Sequence, residues 1–129
     1  MAVILIVEDE AHIARVLSIW LSRHGHEVIE APEGAAALKL LDLRPVDLVV
    51  SDMNMPGVDG MELARILREE RRLTIPFLML TARCDQARLA NLAKPYGIVL
   101  YPKPFVPSRF VSDIERHLGQ CETKGAVSP

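Results

Sequence analysis

The chain has 129 residues, half of them hydrophobic and a quarter charged, with a net charge of -2. That is the size and balance of one globular domain able to bury a core without staples. Both charge signs are interspersed, which excludes a broad nucleic-acid-binding face, and the N-terminal apolar run is too short and lacks the basic flank of a signal peptide or membrane anchor.

Residues 3–7 read as a first strand that stops at Glu8, Asp9 and Glu10. Ile13, Val16, Leu17, Trp20 and Leu21 recur at helical spacing over residues 11–24, and Gly25 closes that helix. A short second strand over 27–30 leads through Pro32 and Gly34 into a helix carrying Ala37, Leu38 and Leu41, which stops before Pro45. The central run, Leu48, Val49 and Val50, ends at a lone carboxylate, Asp52. Continuous apolar runs of this kind are strands buried on both faces. Asn54, Pro56, Gly57 and Gly60 build a loop, and a helical pattern begins at Met61 with Leu63, Ile66 and Leu67. Its charged end, Arg68, Glu69, Glu70, Arg71 and Arg72, reads as a solvated face.

A fourth strand over 77–80 stops at Thr81 and Ala82. The helix after it, over 85–94, carries Leu89, Leu92 and Ala93, has the weakest apolar pattern of the five, and ends at Pro95. A fifth strand over 98–101 runs into Pro102, Lys103, Pro104 and Phe105, and Pro107 opens a last helix with Phe110, Ile114 and Leu118. Residues 119–129 lose periodicity and are expected to form a disordered tail or linker stub. Cys84 and Cys121 are too few and too far apart for a metal motif or a disulfide framework, so a reducing cytoplasm is expected. His12, His24, His26 and His117 have no ligand spacing and read as surface residues.

Five strands alternating with five helices predict a three-layer, doubly wound α/β fold around a parallel five-stranded sheet. The flavodoxin-like order 2-1-3-4-5 sets strands 1 and 3 side by side. Glu8, Asp9 and Asp52 then share the crevice at the carboxyl ends of the strands, with Thr81 and Lys103 arriving from strands 4 and 5.

Three carboxylates crowded at one rim repel unless something positive lies between them. A hard divalent cation such as Mg²⁺ takes one or two carboxylates, a carbonyl and several waters, and usually a phosphate oxygen as well. Asp9 and Asp52 can ligate directly, the backbone carbonyl of Asn54 can supply a third oxygen, and Glu8 can hold a water. Lys103 is a second positive charge for an incoming phosphoryl group, and Thr81 can donate its hydroxyl to that group while small Ala82 leaves the approach open. Carboxylates do attack phosphorus to form aspartyl phosphates, so the inventory fits phosphoryl transfer onto Asp52.

VEDE at 7–10, DMNMPGVDG at 52–60, TA at 81–82 and KPF at 103–105 together resemble the receiver domain of two-component response regulators, of the chemotaxis-regulator type, over about residues 3–118. The resemblance implies a receiver domain over 1–118 in which Asp52 is the phosphoacceptor, Glu8 and Asp9 are the acidic pair around Mg²⁺, Thr81 is the switch hydroxyl and Lys103 the family's lysine. It implies a histidine kinase or phosphotransfer protein as donor in a phosphorelay, and a downstream effector protein or domain. It further implies a cis bond before Pro104, while the charge balance, the cysteines and the short N-terminal run lead us to expect a cytoplasmic protein with no direct nucleic-acid contact and no membrane insertion. Such a chain is no enzyme beyond its own phosphorylation and dephosphorylation.

The family's aromatic three residues before the lysine is replaced by Leu100. Tyr101 follows one place later, where strand alternation sends it to the other face. The usual Gly-Ala upstream is Tyr96-Gly97, so the readout through the fourth helix is expected to differ. Competing readings are a docking module insensitive to phosphate, a phosphohydrolase with Asp52 as nucleophile, and a flavin protein. A phosphohydrolase wants an acid where Asn54 stands, and the three acids after strand 1 would repel a flavin phosphate.

Overall fold

The apolar runs become five parallel strands: β1 (Val3–Val7), β2 (Glu27–Ala31), β3 (Leu48–Asp52), β4 (Phe77–Ala82) and β5 (Ile98–Lys103). They form one sheet in the order β2-β1-β3-β4-β5, the flavodoxin-like order expected of the sequence. The computed structural model describes residues 2–82, 86–103 and 106–126. The bond before Pro104, Phe105, Cys84 and the 83–85 part of the fourth loop lie outside the described residues.

Strand alternation divides the core between two layers. Ile4, Ile6, Leu48, Val50, Leu78 and Leu80 pack against α1 (Ala11–Arg23) and α5 (Pro107–Ala126). Leu5, Val7, Val49, Phe77 and Met79 pack against α2 (Gly34–Leu43), α3 (Gly60–Arg65) and the end of α4 (Gln86–Ala93). Burial of each such side chain contributes about 1.5–3 kcal/mol. β3 is buried along its whole length, which is why its sequence shows no alternation. Leu100 and Tyr101 fall on opposite layers, as the pleat predicts. Half-buried Trp20 packs against the α1–α5 layer.

The loop after β3 is held tightly. Asp59 caps α3, its Oδ1 accepting from the Glu62 amide at 2.8 Å. Gly60 begins that helix because a Cβ there would lie 2.5 Å from the Asp52 carbonyl oxygen. After Arg65 the helix widens into a π-helical turn (Ile66–Glu70), in which the Arg71 amide donates to the Ile66 carbonyl at 2.9 Å.

Three expectations are corrected here. The charge run after Leu67 is not simply a solvated face: Arg68 donates to the carbonyls of Tyr96 at 2.7 Å and Leu73 at 2.8 Å, and Arg71 pairs with Asp42. His26 is not a surface histidine, since its side chain is only 9% exposed; Nδ1 accepts from the Ala2 amide at 3.2 Å and Nε2 meets Glu115 at 3.0 Å. The last helix does not end at Leu118 but continues to Ala126, an existing ladder propagating through Gly119 and Gly125 without an apolar stripe, and the remaining 127–129 of the expected tail lie outside the described residues.

α4 is lightly held, as its pattern predicts. Leu89 and Ala93 are buried, whereas Leu92 is 54% exposed. A 3₁₀ turn (Lys94–Tyr96) follows, and Gly97 closes it at a φ of 65°, a left-handed conformation that favours glycine. Among the described residues, no helix is long and apolar enough to cross a membrane.

Candidate functional site

Register decides which side chains meet. Val7 pairs with Ser51 and Asp52 with Leu80, so Glu8 and Asp9, just past the end of β1, and Thr81, near the end of β4, flank the end of β3. Glu8, Asp9 and Asp52 each offer a carboxylate oxygen, and these oxygens lie within 4.8 Å of one another. Glu8 and Asp52 are buried and Asp9 is exposed, which leaves the group open to solvent on one side.

Lys103 supplies the countercharge. Its Nζ donates to Asp52 Oδ1 at 2.8 Å and lies 4.0 Å from Glu8 Oε2. Burial alone would depress the ammonium, but its hydrogen bond to Asp52 and the charges of Asp52, Glu8 and Glu10 outweigh that and hold its pKa above the ordinary value.

Glu8 is the strained member. Oε1 accepts from the Glu10 amide at 3.2 Å, while buried Oε2 makes no hydrogen bond. Burial, with the neighbouring Asp52 charge second, pushes its pKa from 4.5 up to about 7. Thr81 Oγ1 is likewise buried without a partner. Orphaned buried polar atoms carry an energetic penalty and are rare in native folds. Here two of them, one acidic and one hydroxyl, stand at the same rim as an exposed carboxylate.

These features fit a small divalent cation. The oxygen donors are hard, they converge from two strand ends, and Glu8 Oε2 is the orphan such a charge or its water would satisfy. Asn54 is exposed in the loop that Gly60 folds back on Asp52, where its backbone carbonyl can serve as a further oxygen. Met55 is buried and Met53 half-buried against the α2–α3 layer, so both pack. Two features of the site carried no signal in the sequence reading. Ser51 is fully buried and donates to the Asp52 carbonyl at 2.9 Å. Gly60 reads as a loop glycine, and nothing in its neighbours, Asp59 and Met61, marks its close approach to the Asp52 carbonyl eight residues earlier.

Comparison with known proteins gives one answer. The pattern of the response regulator receiver domain family matches residues 4–115. The alkaline phosphatase synthesis transcriptional regulatory protein PhoP of Bacillus subtilis is 41% identical over 120 residues, 92% of this chain and 49% of that protein. The phosphate regulon transcriptional regulatory protein PhoB of Pseudomonas aeruginosa is 34% identical over 127 residues, 98% of this chain and 56% of that protein. This chain thus spans about half the length of these curated relatives. The structure of the chemotaxis response regulator CheY4 of Vibrio cholerae superposes with a TM-score of 0.83 at 30% identity, covering 91% of this chain and 98% of that one.

Proposed function

The chain belongs to the response regulator receiver domain family, and from that premise we propose that it is a phosphoacceptor: Asp52 takes a phosphoryl group from a phosphohistidine in a Mg²⁺-dependent reaction. Receiver domains are signalling domains rather than classical enzymes. The observation that carries the proposal is the pairing of buried Asp52 with Lys103 at 2.8 Å beside two further carboxylates. The family likeness favours it over a phosphate-insensitive docking module or a phosphohydrolase.

In this reading a carboxylate oxygen of Asp52 attacks phosphorus and the P–N bond breaks with its electron pair kept by the ring nitrogen, while a proton carried on the donor's other ring nitrogen lets the imidazole leave neutral. Glu8, Asp9, Asp52 and the Asn54 carbonyl would hold Mg²⁺, which would supply charge neutralisation for the transferring oxygens. Lys103 exchanges its bond to Asp52 Oδ1 for one to the phosphoryl group, and Thr81 turns its orphan hydroxyl onto the same group. That draws the end of β4 towards the site. The donor is a histidine kinase or phosphotransfer protein, the recipient a downstream effector protein or domain, and the setting the cytoplasm. Residues 1–118 make up the receiver, and residues 119–129 lie beyond it.

The test is intact mass after incubation with Mg²⁺ and a small phosphodonor. The wild type gains one phosphoryl mass, which chelation or Asp52→Asn prevents. Equal labelling of Asp52→Asn overturns the assignment.

A further inference from the structure

Two departures from the receiver pattern lie in one segment: Leu100 in place of an aromatic, and Tyr96 in place of the usual small residue. Leu100 has no polar end to exchange between environments. Tyr101 is not free to take over, because its hydroxyl donates to Asp113 of α5 at 2.6 Å and its ring meets Phe110 edge-on at 5.1 Å. Neither β5 side chain is a two-state rotor.

Tyr96, in contrast, is gripped twice by the π-helical turn that follows α3. Its carbonyl accepts from Arg68 Nε at 2.7 Å, and its hydroxyl donates to Glu69 Oε2 at 2.7 Å. Arg68 also holds the Leu73 carbonyl, so one half-buried guanidinium ties the π-helical turn, the approach to β4 and the exit of α4 together. Charge-assisted bonds of this kind are about twice as strong as neutral ones. The π turn matters because consecutive residues there, Arg68 and Glu69, both reach the same tyrosine. Between Thr81 and this grip lies α4, about 12 Å long by helical rise and anchored in the core through Leu89 and Ala93.

We propose that Arg68, Glu69 and Tyr96 form a hinge pin: they fix the 3₁₀ turn at the C-terminal end of α4 to the π-helical turn after α3, so that α4 swings at its Thr81-proximal end while β5 stays still. The swing rests on the phosphoryl-acceptor reading, whereas the pin does not. The surface that changes is then the α3–α4 side of α4 rather than the β5–α5 edge.

Amide hydrogen exchange and backbone amide shifts on the full chain test both parts. Without any phosphodonor, Tyr96→Phe raises exchange at Gly97, whose amide closes the 3₁₀ turn onto the Lys94 carbonyl, about fivefold, the weight of one hydrogen bond. Val49 and Val50 in β3 serve as unchanged controls, and Arg68→Met gives a larger rise. With Mg²⁺ and beryllofluoride as phosphoryl mimic, wild-type shifts concentrate in residues 86–93 and fade by Gly97, and in Tyr96→Phe they spread into residues 98–100. Unchanged exchange at Gly97 in both variants overturns the pin. Equal wild-type shifts on the two sides of Tyr96 overturn the lever. A mimic that moves no amide at all sinks the phosphoryl-acceptor reading and the swing, while the exchange measurement still decides the pin.

Discussion

Lys103 reaches Asp52 across an intervening strand: the lysine is in register with Ala82 on β4, yet its Nζ lies 2.8 Å from Asp52 Oδ1 on β3. An amine bonded to the acceptor oxygen screens the acid and holds a donor where phosphoryl charge will develop. Lys103→Met keeps the stem and removes both effects. Labelling by a small phosphodonor should slow at least about tenfold, the scale of losing one preorganised donor. Mg²⁺ affinity should be equal or tighter, since a competing cation has gone. Mass time courses and calorimetric titration read the two arms, and undiminished labelling removes the lysine from the mechanism.

Glu8 makes metal-free stability depend on pH. Its folded pKa of about 7 lies above the ordinary 4.5, so between those values the native state binds more protons than the unfolded chain and stability falls as pH rises. The contribution is fully present below pH 4.5 and lost above pH 7, and a shift of this size corresponds to about 3 kcal/mol. Urea unfolding of wild type against Glu8→Gln should show that difference across this window. Mg²⁺ should bind more tightly as pH approaches 7 and release a proton on binding. Parallel stability curves for the two proteins would refute the assignment.

Thr81 separates stability from switching. Its buried hydroxyl has no partner in the resting state, so Thr81→Val, which replaces it by a methyl of similar size, should leave stability equal or raise it by up to about 1 kcal/mol. The same variant should still be labelled on Asp52 and yet lose the mimic-induced shifts in residues 86–93. A clear loss of stability would mean that the hydroxyl is satisfied at rest.

Gly60→Ala sets helix propensity against packing. Alanine favours a helix by about 1 kcal/mol over glycine, but here its methyl would stand 2.5 Å from the Asp52 carbonyl oxygen, and backbone cannot yield cheaply. Overpacking should win by about 1–3 kcal/mol. Denaturant midpoints check the sign, and a stabilised variant would show that the loop gives way.

The sheet order and the strand-end acids were legible because both follow from side-chain pattern. Continuous apolar runs mark buried parallel strands, and polar residues stopping those runs must collect at one rim, so Glu8, Asp9, Asp52, Thr81 and Lys103 were readable as a set. Arg68 and His26 were not. Arg68 meets the carbonyls of Tyr96 and Leu73 and His26 the amide of Ala2, backbone groups that no pattern of side chains distinguishes, and His26's other partner, Glu115, lies 89 residues away on another element. The π turn was hidden for a related reason. Leu63, Ile66 and Leu67 satisfy an ordinary helical period although Ile66 and Leu67 already belong to the π turn, and the charged residues that complete it carry no apolar spacing to record the extra residue.

Trp20 is the chain's single tryptophan, and its place in the α1–α5 layer settles what it can be used to see. It stands about 14 Å along α1 from the end that adjoins Glu8 and Asp9, by helical rise, and on the far side of the sheet from α4. Its emission is therefore an optical record of global unfolding with a flat baseline through any movement of α4. A fluorophore intended to follow signalling belongs instead at Ala87, which is exposed near the Thr81-proximal end of α4.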